Sequence, residues 1–223
     1  MKNLAIWITY HDKAQIESYQ LQEDEIFHLY NANDLTRQDY NINYLNPFYS
    51  EIVTMYWAWK NNIQSEKIGF CHYRRRFNKL IEIREQECQV LEINHHCPIW
   101  EHYKVSHNYH DLYDIIDILN KQYGIDNKYS RYLLTSHTFI PYCSFIMHWG
   151  DFINLCEFLF PVLEAYDKKN ELHMKPQLYL RKAEKDFRYD NVQYQRRATS
   201  FLAERLISSY IVCELKPYSL ISL

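Results

Sequence analysis

Four apolar runs rich in β-branched and aromatic residues read as strands: LAIWITYH over 4–11, IFHLYN over 26–31, KIGFCHY over 67–73 and FIPYCSFIMHW over 139–149. Helical periodicities fill the chain between them, and strands that alternate with helices predict an α/β fold. Ahead of the third strand, Ile52, Met55, Tyr56 and Trp59 recur at helical spacing. They follow Asn46, a residue type that caps helices, and Pro47, whose missing N–H costs nothing in a first turn. Asn108 with Asp111 reads as the capping pair of a helix over 111–121 that ends near Gly124. From Asp151 onward, Phe152, Leu155, Cys156, Leu159, Val162, Leu163 and Tyr166 follow one face, and Pro161 is expected to kink that helix. The segment 168–190 is polar and reads as a mobile loop, while ISSYIVCELKPYSLISL reads as a buried helix end with a tail. No repeat or low-complexity linker breaks the pattern, so one domain over 1–223 is expected.

The third strand ends in His72, Tyr73, Arg74, Arg75 and Arg76. Each guanidinium is a rigid fork of donors that grips an oxyanion bidentately, and ligands of open α/β sheets collect at strand ends, so the cluster points to a phosphate. Only three glycines occur, at 69, 124 and 150, which excludes a Gly-rich phosphate loop. Phosphate has to be held by side chains. Arg76 is read instead as a salt-bridged surface residue. Glu51 projects beside Thr54 and Ala58 at the edge of the apolar stripe, which makes it either a carboxylate facing a cleft or an ordinary solvated Glu. Glu204 projects with Arg197, Ser200 and Ser208, away from Leu202 and Leu206, and is either a catalytic carboxylate or a partner for a cation. His72 is a phosphate donor or a packed histidine. His107, His110 and Asp111 form a polar triplet that helix capping explains more simply.

Composition narrows the field. With 47% hydrophobic and 24% charged residues the chain is an ordinary globular one. A net charge of −3 and a pI near 6.4 lack the basic excess of a general nucleic-acid binder. The six cysteines are scattered and the start, MKNLAIWITYHD, has no secretory pattern, which suggests reduced thiols in a cytoplasmic protein. Cys88, His95, His96 and Cys97 lack a CxxC knuckle, so no structural zinc is expected. No run approaches the ~20 apolar residues of a spanning helix, which leaves peripheral contact with a membrane open.

One block of the chain is distinctive as a whole. Asn41, Ile42, Asn46, Tyr49 and Glu51 lead into Tyr56, Trp57, Trp59, Lys60 and Asn61, and then Gly69, His72, Tyr73, Arg74, Arg75 and Phe77. This resembles the domain of unknown function 4422 family, associated with capsular-polysaccharide glycosyltransferases of GT-A-like fold. Phe145, Ile146, Met147, Phe152, Leu159 and Phe160 resemble a second block of the family, and Tyr194, Gln195, Arg197, Phe201, Glu204, Arg205 and Leu206 a third. The blocks keep their order from residue 41 to 206. The chain departs from the family at Arg76, Cys143, Phe158 and Ser200, and offers only Glu87, Cys88 and Glu92 where the family carries an Asp after the His-Tyr-Arg-Arg strand.

The resemblance implies a single GT-A-like, Rossmann-related domain with a mixed central sheet flanked by helices. It implies transfer of a sugar from a nucleotide-diphosphate donor, UDP first, to a saccharide or lipid-linked saccharide acceptor in bacterial surface polysaccharide (capsule or lipopolysaccharide) synthesis, a hexosyl- or galactofuranosyl-type transfer. Such chemistry needs a nucleoside pocket, cations at the leaving diphosphate and a base for the attacking hydroxyl. Glu51, Glu204 and His72 are the catalytic candidates. Thr9, Tyr10, His11, Asn41, Trp59, Lys60, Tyr73, Arg74, Arg75 and Arg197 are the candidates for holding the nucleotide sugar. The sequence has no DxD motif, so cationic side chains are expected to neutralise the diphosphate without a required cofactor, with a divalent metal, Mn or Mg, as the alternative. The rival reading is a non-catalytic module in which Trp57, Trp59 and the arginines grip an anionic glycan or single-stranded nucleic acid. A metal-dependent hydrolase ranks last because no HExxH or comparable spacing occurs.

Overall fold

The structure is a computed structural model and describes residues 4–95, 97–183 and 191–220, the side chains of 182 and 183 excepted. The first half runs β1 (Leu4–Tyr10), α1 (Lys13–Ser18), β2 (Phe27–Asn31), α2 (Asn46–Tyr49), α3 (Ile52–Lys60), β3 (Lys67–His72) and β4 (Glu87–Val90). Then come β5 (Asn94–His95), α4 (Ile99–Ser106), α5 (His110–Tyr123), α6 (Lys128–Thr135), β6 (Thr138–Phe139), β7 (Phe145–His148), α7 (Trp149–Asn170), α8 (Pro176–Ala183), α9 (Ala198–Glu214) and β8 (Lys216–Tyr218).

Six strands form one mixed sheet in the order β2-β1-β3-β7-β4-β8. β1 pairs parallel with β2 and β3, β7 runs antiparallel between β3 and β4, and β8 is parallel to β4. One face of the sheet and the helices around α7 and α9 enclose the larger apolar core, with Ile68, Phe70, Phe145, Phe152, Leu159 and Leu206 at its centre. A smaller core on the other face gathers Leu4, Ile6, Ile8, Cys71, Phe77 and Ile146. Gly69 lies where the backbones crowd: a Cβ there would stand 2.8 Å from Ile146 Cγ1 and 3.1 Å from the Phe145 carbonyl oxygen.

The expected strands and helices are present, with corrections that matter for function. The helix expected over 46–60 is two helices, because Ser50 takes φ 54° and ψ −136°, a conformation that few non-glycine residues adopt. Asn46 is the first residue of α2 rather than its cap, and its amide donates to Asn33 Oδ1 at 2.6 Å. The long late strand is also broken. β6 and β7 are separated by a turn in which Tyr142 (φ 73°) and Cys143 (φ 50°) are both left-handed. α7 continues through Pro161, since a 22-residue helix held on one side by core contacts tolerates the lost bond. Residues 168–183 are the end of α7, a turn and α8 rather than a loop, and 184–190 lie outside the described residues. The expected tail contains β8, which adds an edge strand where Pro217 is tolerated.

Asp111 does not cap α5. It is buried, accepts hydrogen bonds from the hydroxyls of Tyr103 (3.1 Å) and Tyr179 (2.7 Å), and burial pushes its carboxyl up to about 7. Tyr109 is the N-cap of α5 and no side chain caps the helix; Asn108 lies one residue ahead, its Oδ1 accepting from the His110 N–H at 3.3 Å and its amide donating to Asp111 Oδ1 at 3.2 Å.

Candidate functional site

Three parallel strands, β2, β1 and β3, end on one edge of the sheet at Asn31, Tyr10 and His72. α3 must run back from that edge to reach the start of β3, so the residues just before α3, Ser50 and Glu51, stand at the same edge. α9 brings its first turns to them, and the turn between β6 and β7 closes the far side. Together they enclose a cleft of about 260 Å³ in which His72, Arg74 and Arg75 face Glu51, Arg197, Glu204 and Arg205. Four guanidiniums against two carboxylates leave the cleft with an excess of two positive charges.

The arginines are presented by a tight turn. The Arg75 N–H returns to the His72 carbonyl at 3.0 Å, and the Arg74 N–H donates to His72 Nδ1 at 3.2 Å. Because Nδ1 accepts, the proton of the neutral ring belongs on Nε2, which makes that nitrogen a donor. Burial, followed by repulsion from Arg74, His11, Arg75 and Arg197, drives the His72 pKa down to about 3, so the ring is neutral at physiological pH. The Arg75 guanidinium lies 3.9 Å from the centre of the Tyr142 ring. Neither Arg74 nor Arg75 has an acidic partner among the described residues. Arg76 turns away from the cleft and donates to the Tyr19 carbonyl at 3.3 Å, so its partner is a carbonyl rather than the carboxylate of a salt bridge.

The two candidate carboxylates differ in their surroundings. Glu51 Oε2 is shielded from solvent, has no hydrogen-bond donor among the described residues, and stands 4.0 Å from Arg197 Nη2. Burial raises its pKa, and Arg197 opposes that only in part. The solvated reading of Glu51 is therefore wrong, because the turn at Ser50 tucks the carboxylate under the first turn of α9. Arg197 is fixed in turn by donating to Ser50 Oγ. Glu204, by contrast, has both oxygens occupied: Oε1 accepts the Tyr142 N–H at 2.5 Å and Oε2 pairs with Arg205 Nη1 at 2.5 Å. It is thus a partner for a cation and a brace for the left-handed turn. α9 is buried nearly all round, so Glu204 does not sit on a broad polar face.

Several lining groups were given no role at the site from the sequence. Tyr142 sat inside an apparent strand. His107, expected only to cap, stacks on Phe201 at 3.9 Å between ring centres, and its pKa is pushed down to about 3 by burial and then by Arg205. Arg205 is buried and donates to the Phe201 carbonyl as well as to Glu204. Of the three, Arg205 has a signal in local pattern, as a charged residue inside the apolar α9.

The remaining candidates divide by position. His11 is half-buried beside the cleft, accepts at Nδ1 from the Asn46 Nδ2 amide at 3.2 Å, and has a pKa lowered by burial and then by Arg197. Tyr10 and Tyr73 are half-buried at the same strand ends, and Tyr73 packs edge-on to Tyr19 at 5.0 Å. Thr9 is buried, its hydroxyl bonded to that of Thr54 at 2.7 Å, which ties β1 to α3. Asn41 turns its side chain back on its own loop, donating to the Asp39 carbonyl at 2.8 Å and accepting from the Asn43 N–H at 3.1 Å. Trp59 and Lys60 are at the other end of α3, where Trp59 stacks on Phe160 at 5.4 Å and the Lys60 ammonium lies 3.4 Å from the Trp59 ring centre. The structure does not bring those two to the cleft. Trp57 is buried and donates its indole N–H to Asp39 at 2.8 Å, so no face of it is open to a base or a sugar.

Among the described residues no three His, Cys, Asp or Glu side chains are grouped to hold a metal ion. His96, part of the zinc pattern weighed from sequence, lies outside the described residues. The cysteines are free thiols, and of the three residues near the missing family Asp, Glu92 is the one beside the cleft, hydrogen-bonded to Tyr142. No helix among the described residues is long and apolar enough to cross a membrane.

Residues 20–96 match the family described as Domain of unknown function (DUF4422), the family that the sequence resembles. A solved structure described as the apo structure of WbbM, a bifunctional glycosyltransferase, superposes on 97% of this chain with a TM-score of 0.69 and 18% identity. The likeness establishes a shared α/β fold, and this chain spans 44% of the length of that one. No curated protein matches the sequence.

Proposed function

We propose that the chain is a glycosyltransferase that moves a sugar from a nucleotide-diphosphate donor, UDP-sugar first, to a saccharide or lipid-linked saccharide acceptor in bacterial surface polysaccharide synthesis. The observation that carries this reading is the cleft itself: Arg74 and Arg75, with no acidic partner among the described residues, face a shielded carboxylate, Glu51, whose Oε2 has no donor among them. Leaving-group stabilisation and proton removal are the two demands of glycosyl transfer, and here they meet across one small cavity.

In this reading Arg74, Arg75 and the Nε2–H of neutral His72 hold the diphosphate, and the excess positive charge of the cleft matches its negative charge. The nucleoside lies toward the end of β1, beside Tyr10 and His11. Glu51 takes the proton of the attacking hydroxyl, because a carboxylate with a raised pKa and an oxygen that no donor among the described residues occupies is the better base. Arg197 orients it. Glu204 shapes the wall through Tyr142 and Arg205. The work is done in the cytoplasm, at the inner membrane face when the acceptor is lipid-linked. No step is assigned to a divalent metal. The buried Trp57 removes the stacking platform that a nucleic-acid module would need.

The test is a thermal-shift series with UDP, GDP, CDP and TDP, each with and without manganese. A ligand selective for the folded state raises the melting temperature by mass action. UDP is expected to raise it without manganese and to lose that effect in the Arg74→Ala, Arg75→Ala double variant. No shift with any nucleotide overturns the proposal.

A further inference from the structure

The wall formed by Tyr142 and Glu204 has a second cavity behind it. It measures about 200 Å³ and is lined by Asn94, Cys97, Ile99, His102, Phe139 and Pro141, with Tyr142 and Glu204 shared between the two spaces. We propose that this cavity is the acceptor subsite and that it receives one neutral sugar ring. The assignment rests on the transferase reading given above, and extends it to the acceptor.

The lining chemistry selects a sugar. Phe139 and Pro141 give an apolar floor for the C–H face of a pyranose or furanose ring. Asn94 Oδ1 is shielded from solvent and has no hydrogen-bond donor among the described residues, so a ligand hydroxyl is the group that completes it. His102 stands at the edge of the cavity, its Nδ1 taking a hydrogen bond from Arg205 Nη2 at 3.3 Å. Among the described residues no lysine or arginine lines it. Arg205 lies beneath Phe139, 4.9 Å from its ring centre, with its charge matched by Glu204. A phosphate therefore belongs in the first cavity and an uncharged ring in the second.

The partition between them is the turn that joins β6 to β7. Tyr142 and Cys143 hold left-handed backbone conformations, the Tyr142 N–H is anchored on Glu204, and its ring carries Arg75 on the side of the first cavity. An acceptor ring seated behind this wall sends one hydroxyl past Glu204 toward the donor. In the transfer, the hydroxyl oxygen bonds to the anomeric carbon while the bond from that carbon to the phosphate oxygen breaks. The electron pair leaves with the diphosphate, held by Arg74 and Arg75, and the hydroxyl proton passes to Glu51.

The experiment is saturation-transfer NMR on the full chain with the methyl glycosides of glucose, galactose, mannose and N-acetylglucosamine, alongside the UDP thermal shift. Two variants are compared with the parent: Asn94→Ala, which removes the unpartnered acceptor, and Cys97→Trp, which fills the cavity from an exposed position. At least one glycoside is expected to bind the parent, about 10-fold more weakly to Asn94→Ala, as befits one lost hydrogen bond, and not detectably to Cys97→Trp. The UDP shift should be the same in all three proteins. Absence of binding by all four glycosides, or binding that both variants leave unchanged, overturns the acceptor subsite. If instead UDP fails to bind while the glycoside pattern holds, the transferase reading fails and the saccharide site stands.

Discussion

Glu51 Oε2 lies 4.0 Å from Arg197 Nη2, close enough to feel its charge and too far for a hydrogen bond. The carboxylate is oriented without being neutralised, because Arg197 spends its near donor on Ser50 Oγ. A buried carboxylate in this position destabilises the fold when ionised.

Glu51→Gln should accordingly lower the transfer rate by about 10²–10⁴-fold, the usual worth of a positioned base. UDP binding should persist and the melting temperature at neutral pH should rise. With the wild type, the acid limb of the rate should fall above the ordinary carboxylate value of 4.5, since burial raises the Glu51 pKa. A variant that loses stability and UDP binding together would assign Glu51 to the scaffold.

For the cations, Arg74→Ala with Arg75→Ala should weaken UDP by about 10- to 100-fold or more, the range of one or two charge-assisted hydrogen bonds. Calorimetric titration at rising salt checks it: the wild-type affinity should fall with ionic strength and that of the double variant should barely respond. Arg76→Ala, which removes a guanidinium outside the cleft, should leave UDP affinity unchanged.

Stability should decline in mild acid. His72 and His107 both have folded pKa values of about 3 against an ordinary 6.5. Below 6.5 the unfolded chain binds protons that the folded chain refuses, so stability is full above that pH and is lost as pH falls toward 3. Each ring contributes at most ~1.4 kcal/mol per pH unit across the window. Denaturant melts between pH 4 and pH 7 should show this slope, and His72→Gln with His107→Gln should flatten it.

At the sheet, Gly69→Ala should cost about 1–3 kcal/mol, because one of the groups its Cβ meets is the Phe145 backbone carbonyl rather than a mobile side chain. Chemical denaturation measures it directly. A change within a few tenths of a kcal/mol would mean that β3 and β7 part easily.

Much of this architecture was legible in the chain. Period-two and period-3.6 patterning marked three strands to within a residue or two, α5 and α7, and the strand end that releases Arg74 and Arg75. The failures share a cause. The breaks at Ser50 and at Tyr142–Cys143 occur in residues with ordinary propensities, without the glycine that normally announces a positive φ. They are imposed by partners far along the chain: Arg197 on Ser50 and Glu204 on the Tyr142 N–H. Trp59 and Lys60 failed differently, since a motif contiguous in sequence is divided by a helix into two ends of a domain.

By itself the sequence determined the α/β alternation, the side-chain nature of the phosphate grip and the local cluster that provides it, because these depend on neighbours within a few residues. Only the tertiary structure decided which carboxylate is open and which is occupied, and that Tyr142 and Glu204 separate two cavities. Those facts depend on contacts between residues 62 to 147 positions apart, which burial and backbone strain settle and local patterning does not encode.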